Sequence, residues 1–332
     1  MIITRTPFRV SFVGGGTDIR SYYKNDTGQV LSTGIDKYVY VIVKRQSGIV
    51  EYQYRINWSQ VEFQNELDDI KHPIVREVLK KFEIDYPIEV TTIADIPAGT
   101  GLGSSSSFTV GLINAICALE GINKTKYELA TLAAEIEVDI LGRSMGKQDH
   151  FAASYGDLNK ISFFKDESVE IEPVLYTPNN RKQLQDNLIL FYTFFKRDAS
   201  QILKSQIKQT ENNFDSLKAM KNLVEPLANT LSKDSNIDNF GSILHQNWLL
   251  KQSLTDEITN SIISEYYQKG IAAGALGGKL LGAGGGGFLL FYVKPESRKK
   301  LIEALPELYP LSFTFDQSGT RITYYDKSNI DR

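Results

Sequence analysis

Cysteine is all but missing from this chain. Cys117 is the only one in 332 residues, so no intrachain disulfide can form, which fits a reducing compartment. It lies in an apolar helical run, where a lone thiol serves as core filler. A strong charge of either sign is missing too. The formal net charge is -3, which exerts no long-range pull on nucleic acid or on an anionic membrane. A chain that handles phosphates must then do so at a local site. Long hydrophobic runs are also lacking. The stretches around Val110 to Leu119 and Phe288 to Val293 reach about ten residues at most, whereas a membrane helix needs about 20. Met1 to Pro7 carry no apolar core of signal-peptide length. These absences predict a cytoplasmic protein without a nucleic-acid or membrane partner; a small-molecule substrate is expected, and monomer and homodimer both stay open. The common nucleotide motifs are absent as well. No Gly-Lys-Ser/Thr closes a Walker A loop, the third glycine of the dinucleotide fingerprint is displaced, and no protein-kinase signature occurs.

What is present is an ordinary globular composition, 42% apolar and 23% charged, over a length that accommodates two domains. Tyr38 to Val43, Ile88 to Ile93, Leu188 to Tyr192 and Phe288 to Val293 read as strands, being rich in β-branched and aromatic residues. Phe108 to Leu119 holds helical spacing and ends at Gly121; Tyr127 to Leu141 does so and ends at Gly142. A long amphipathic stretch carries Leu203, Ile207, Phe214 and Leu217 on one face, followed by helices over Ile243 to Leu254 and Ile258 to Gln268. Strands and helices mix without strict alternation, so the fold class is α+β, divided into residues 1–175 and 176–332.

Three segments carry chemistry. The first, Pro97 to Ser107, joins a strand to a helix through glycines at 99, 101 and 103 and then four serines. Such glycines let backbone approach a ligand, and the free N–H groups of a helix start favour an anion. One serine suffices to cap a helix, so four exceed what a plain turn needs. The second, Thr6 to Asp18, runs a short strand into Gly14, Gly15 and Gly16 and then Thr17 and Asp18. Its aspartate can accept hydrogen bonds from sugar hydroxyls, or simply cap a turn. The third lies within Gly270 to Gly287, which holds nine glycines in eighteen residues and runs directly into a buried-strand pattern. A close backbone contact explains it better than a flexible tail does.

Together the three segments resemble the signature motifs of the galactokinase, homoserine kinase, mevalonate kinase and phosphomevalonate kinase superfamily, the GHMP kinases. They occur in the right order and span nearly the whole chain. The resemblance implies an N-terminal domain like the second domain of ribosomal protein S5 and a ferredoxin-like C-terminal domain, with the active site between them. Within the superfamily, Gly146 to His150, Gly277 to Gly287, Thr193 to Gln206 and Leu244 to Trp248 look similar to D-glycero-D-manno-heptose 7-phosphate kinases. That implies transfer from ATP to the anomeric hydroxyl, giving a 1,7-bisphosphate for nucleotide-activated heptose synthesis. Fucose and galactose kinases share several of the motifs, so an unphosphorylated hexose is the rival substrate. A non-catalytic ligand-sensing homologue is the rival of another class.

The resemblance also implies roles. Asp149, in a glycine-bounded loop, matches the superfamily's catalytic aspartate, with Lys147 beside it to depress its pKa and Arg9 near the reacting hydroxyl. His150 has no family role and reads as structural. ATP would lie on Pro97, Gly99, Gly101, Leu102, Gly103, Ser104, Ser105 and Ser106, with Mg2+ on Ser105 and a helix glutamate. Helical projection leaves Glu137 and Asp139 level; the family's spacing to Asp149 favours Glu137. Gly15, Gly16, Thr17, Asp18, Gly284, Gly285 and Gly286 would meet the sugar. A distal phosphate needs a cation, for which Arg197 leads Lys279, Arg143 and Arg20. Trp58 either borders the adenine or belongs to the core.

Overall fold

A computed structural model describes residues 1–195, 199–232 and 235–326. Among these residues, twelve strands form two sheets. Strands β1 (Ile2–Val13), β2 (Gly28–Arg45), β3 (Tyr54–Asn57), β4 (Val61–Gln64), β5 (Ile88–Ala94), β6 (Leu158–Phe163) and β7 (Val169–Pro173) come first. Strands β8 (Leu188–Tyr192), β9 (Ala275–Leu280), β10 (Phe288–Val293), β11 (Tyr309–Leu311) and β12 (Arg321–Tyr325) complete the set. The first sheet runs β12-β1-β2-β5-β3-β4, with β6 added to β2 and β7 to β6. Only β3 and β5 pair in parallel there. The second sheet, β11-β8-β10-β9, is antiparallel throughout.

The expected boundary at residue 175 falls between β7 and the helix Pro178–Asn187. Strand β12, however, crosses back from the second half to pair with β1. The halves are sewn together in the core as well. Phe12 packs edge-on against Phe240 with ring centroids 5.1 Å apart. Lys279 on β9 reaches across to the carbonyls of Ser11 and Phe12 on β1, at 2.9 and 2.8 Å.

The helix Ser104–Leu119 is apolar on nearly every side and is buried accordingly against β1 and β2. Two hydroxyl bonds fix it there: Ser107 Oγ to the Pro7 carbonyl at 2.8 Å, and Thr4 Oγ1 to the Gly111 carbonyl at 2.8 Å. Its start is thereby held at the inner end of the first sheet. Cys117 is buried in this core, as its setting predicts.

The helix anticipated over Tyr127 to Leu141 is regular only over Lys126–Ala134; Glu135–Ile140 form a π-helical turn. The amphipathic stretch breaks into Ala199–Lys208 and Phe214–Lys221. No helix among the described residues is long and apolar enough to cross a membrane.

Candidate active site

Between the two sheets lies a cleft of about 660 Å³, a size suited to small ligands. Arg9 and Asp149 face each other in its wall. Arg9 Nε and Nη2 donate to the two oxygens of Asp149, both at 2.7 Å, and Nη1 donates to the Gly101 carbonyl at 2.6 Å. The strand supplies Arg9, and its backbone N–H is pinned to the Leu102 carbonyl. Asp149 stands not in a loop but in the first turn of the helix Gln148–Tyr155, where the dipole favours a carboxylate.

The glycine–serine run borders this pair. Gly103 takes φ +75° as the cap of the helix Ser104–Leu119. A Cβ there would lie 3.1 Å from Arg9 Cγ and 3.2 Å from Asp149 Oδ2, so a bare Cα is needed. No side chain caps this helix, which leaves its first N–H groups open toward the cleft beside Ser104 and Ser105. Ala98, Gly99 and Gly101 line the same wall. The open N–H groups suit a polyphosphate. Ser106 is fully buried and stands outside the cleft wall, its hydroxyl without a hydrogen-bond partner among the described residues. Leu102 contributes only its backbone, since its side chain is core, and Pro97 lies outside the cleft wall.

On the other flank, Gly15, Gly16 and Asp18 line the cleft. Asp18 accepts from the N–H groups of Gly16 at 3.0 Å and Gln148 at 3.3 Å. Burial, with the Asp149 charge adding, raises its pKa above the ordinary carboxylate value. Thr17 does not reach a ligand: it is fully buried and its hydroxyl is spent on the carbonyls of Gly14 and Gln29.

Several expected residues sit elsewhere. Lys147 turns away from Asp149 and pairs with Glu167. Gly284 and Gly286 press against the backbones of Ile258 and Phe195, and the Gly285 N–H bonds the Ile258 carbonyl, so none of the three lines the cleft. Gly282 and Ala283 form that wall instead, and a Cβ on Gly282 would stand 2.5 Å from Gly101 Cα. The close approach required by the third glycine segment is therefore to the glycine–serine run itself. Lys279 is 2% exposed, its ammonium is held by two carbonyls, and burial holds its pKa well below the usual lysine value. Arg20 pairs with Asp139 and Glu167. Arg197 lies outside the described residues. Trp58 is partly exposed, its Nε1 bonded to Glu62 at 2.9 Å, and stands outside the cleft wall.

Glu137 is fully buried and does not line the cleft. Its carboxylate accepts from Thr109 Oγ1 at 2.9 Å, lies 3.2 Å from His150 Nε2, and accepts from Arg143 Nη1 at 2.5 Å. Burial alone would raise its pKa; His150, Arg143 and Thr109 outweigh that and hold it near about 2. Among the described residues, no three acids, histidines or cysteines gather as a metal cage. Of the two residues expected to hold Mg2+, Ser105 borders the cleft and Glu137 does not, its oxygens being taken by Thr109, His150 and Arg143, so the pair does not form a metal site here. Ser105 faces the cleft, while Arg143 now serves as the counterion of Glu137.

One functional candidate was not anticipated. Lys251 lines the cleft yet is only 7% exposed, and its ammonium bonds the Gly282 carbonyl. Burial lowers its pKa to about 8. The sequence signal for it is a cation continuing the buried stripe Phe240, Leu244, Trp248. A second hollow of about 600 Å³, beside Phe82 and Tyr127, holds no comparable set. Its Glu135 pairs with Lys81, and its Glu128 closes the cap at Thr125.

An uncapped helix start beside a fixed arginine–aspartate pair, in one cleft, can hold an anion next to a carboxylate. Residues 70–157 match the GHMP kinases N terminal domain and residues 219–311 the GHMP kinases C terminal domain. The chain belongs to the GHMP kinase family and has its fold. A D-glycero-alpha-D-manno-heptose 7-phosphate kinase of Campylobacter jejuni is 30% identical, aligning 96% of this chain with 98% of that protein. A galactokinase of Thermotoga maritima is 24% identical over 94% of this chain and 95% of its own length. A solved D-glycero-D-manno-heptose 1-phosphate kinase of Bacteroides thetaiotaomicron superposes with a TM-score of 0.81 at 22% identity, covering 98% of this chain and 100% of its own.

Proposed function

We propose that this sugar kinase transfers the γ-phosphoryl group of ATP to the anomeric C1 hydroxyl of D-glycero-D-manno-heptose 7-phosphate, giving the 1,7-bisphosphate. The observation that carries the reaction is the Arg9–Asp149 pair, set in the cleft wall between the open helix start and the Gly15–Asp18 turn. The substrate rests on the likeness to the Campylobacter jejuni kinase.

ATP lies with its phosphates on the first turn of Ser104–Leu119, against Gly99, Gly101 and Gly103. Mg2+ bound beside the phosphates at Ser105 would supply positive charge that offsets theirs. The sugar lies against Gly15, Gly16 and Asp18. Each Asp149 oxygen keeps a lone pair beyond the one Arg9 uses, so one can accept the hydroxyl proton. The sugar oxygen bonds to the γ-phosphorus, the bond to the bridging oxygen of ADP breaks, and the proton ends on Asp149. Arg9 holds the carboxylate in one orientation through both of its oxygens, which positions the attacking oxygen.

An ADP-release assay compares heptose 7-phosphate with free L-fucose and D-galactose. The reading expects turnover of the phosphosugar, with a product carrying phosphate on C1. Turnover of a free hexose and none of the phosphosugar would replace the substrate by the hexose. ATP binding without turnover of any sugar would mark a sensing homologue.

A further inference from the structure

Among the described residues, five cations line the cleft: Arg9, Arg143, Lys204, Lys251 and Lys279. Four of them are already engaged. Arg9 grips Asp149 with two nitrogens and the Gly101 carbonyl with the third. Arg143 is the counterion of buried Glu137. Lys251 and Lys279 are almost wholly buried, with their ammonium groups on the carbonyls of Gly282, Ser11 and Phe12. Lys204 differs. It is exposed, and among the described residues no carboxylate or carbonyl bonds its ammonium.

Its helix, Ala199–Lys208, is anchored in place. Ile202 is buried in the core of the second half, and Gln206 Nε2 donates to the Ala283 carbonyl at 3.1 Å. Ser200, Leu203 and Lys204, spaced three and four apart, turn toward the cleft. The segment that follows is docked on the sugar flank of the site. Thr210 Oγ1 lies 2.8 Å from Ser21 Oγ, three residues beyond Asp18, and Phe214 stacks on Tyr22 at 4.9 Å. Asp149 separates this flank from the phosphate loop, with Gly103 on one side and, on the other, the bond from the Gln148 N–H to Asp18.

We propose that Lys204 binds the phosphate monoester at the far end of the sugar and so selects a phosphorylated sugar over a free one. The proposal rests on the sugar-phosphate reading above. A monoester carries about −1.5 to −2 charges at neutral pH. A flexible, solvated ammonium can meet it as a point charge without breaking an existing ion pair.

Wild-type enzyme, Lys204→Gln and Lys204→Arg are compared by steady-state kinetics with heptose 7-phosphate, free heptose and ATP as the varied substrates. Lys204→Gln is expected to raise KM for the phosphosugar about 10- to 100-fold, as for a lost charge-assisted hydrogen bond. Its KM for ATP and its kcat/KM for free heptose stay at the wild-type values. Lys204→Arg keeps most of the preference, and added salt weakens the wild-type preference more than that of Lys204→Gln. An unchanged KM for the phosphosugar in Lys204→Gln, with wild type still preferring it, would overturn the role of Lys204 alone. A raised KM for ATP instead would place the ammonium on the nucleotide and overturn it too. Wild-type enzyme that prefers the free sugar would overturn the sugar-phosphate reading itself, and the proposal with it.

Discussion

Arg9 and Asp149 meet as a planar fork, two N–O distances of 2.7 Å joining residues 140 apart in sequence. A strand supplies one partner and a helix start the other, so the pair depends on the packing of both against the helix Ser104–Leu119. Arg9→Lys keeps the charge but removes the fork. We expect kcat to fall at least about tenfold, the scale of one charge-assisted hydrogen bond. Steady-state rates at saturating ATP and sugar check this, and an unchanged kcat would count against the positioning role.

Gly103→Ala tests the fit between the phosphate loop and that pair. The added Cβ meets Arg9 and Asp149 within 3.2 Å at a left-handed φ of +75°. A stability loss of about 1–2 kcal/mol is expected from the backbone alone, accompanied by a fall in kcat. Gly48, with nothing within 4 Å of its would-be Cβ, is the control, and Gly48→Ala leaves both unchanged. Denaturant midpoints and kcat together read the result.

The buried carboxylate of Glu137 is held by Arg143, His150 and Thr109. Arg143→Met leaves the fully buried Glu137 charge without its cation and is expected to cost about 3–5 kcal/mol of stability. Glu137→Gln leaves Arg143 at the open cleft, where its partly exposed guanidinium stays solvated, and costs less. Equal losses in urea unfolding would contradict this ordering.

Lys251 gives a pH signature. Its folded pKa of about 8 lies below the ordinary 10.5, so the unfolded chain binds the proton more tightly. The penalty is fully present below pH 8 and disappears as pH rises through 10.5. Lys251→Met escapes it. The variant's stability relative to wild type therefore falls by up to about 3 kcal/mol between pH 8 and 10.5. A pH-independent difference would show that the ammonium is not penalised by burial.

Much of this site is legible in the sequence. Arg9, Asp18, Asp149 and the glycine–serine run border one cleft: Arg9 stands on β1, Asp18 in the glycine turn that follows it, and Asp149 and the serines in the first turns of helices. Glu137 and Asp139 could not be separated by regular helical projection because the chain makes a π turn over Glu135–Ile140. That wider turn buries Glu137 and leaves Asp139 exposed. Lys147 departs from its expected place because Glu167, its partner, is brought close only by folding. The last glycines suggest ligand contacts, but glycine records a close approach without saying to what. Here the neighbours are Ile258 and Phe195.

In the proposed reaction Asp149 takes the proton of the attacking sugar hydroxyl. Asp149→Asn, assayed for ATP binding by calorimetry and for phosphoryl transfer in a single turnover, tests it most directly. The account predicts ATP binding like that of the wild type, with transfer slowed about 10²- to 10⁴-fold. Intact ATP binding with an unaltered transfer rate would contradict it.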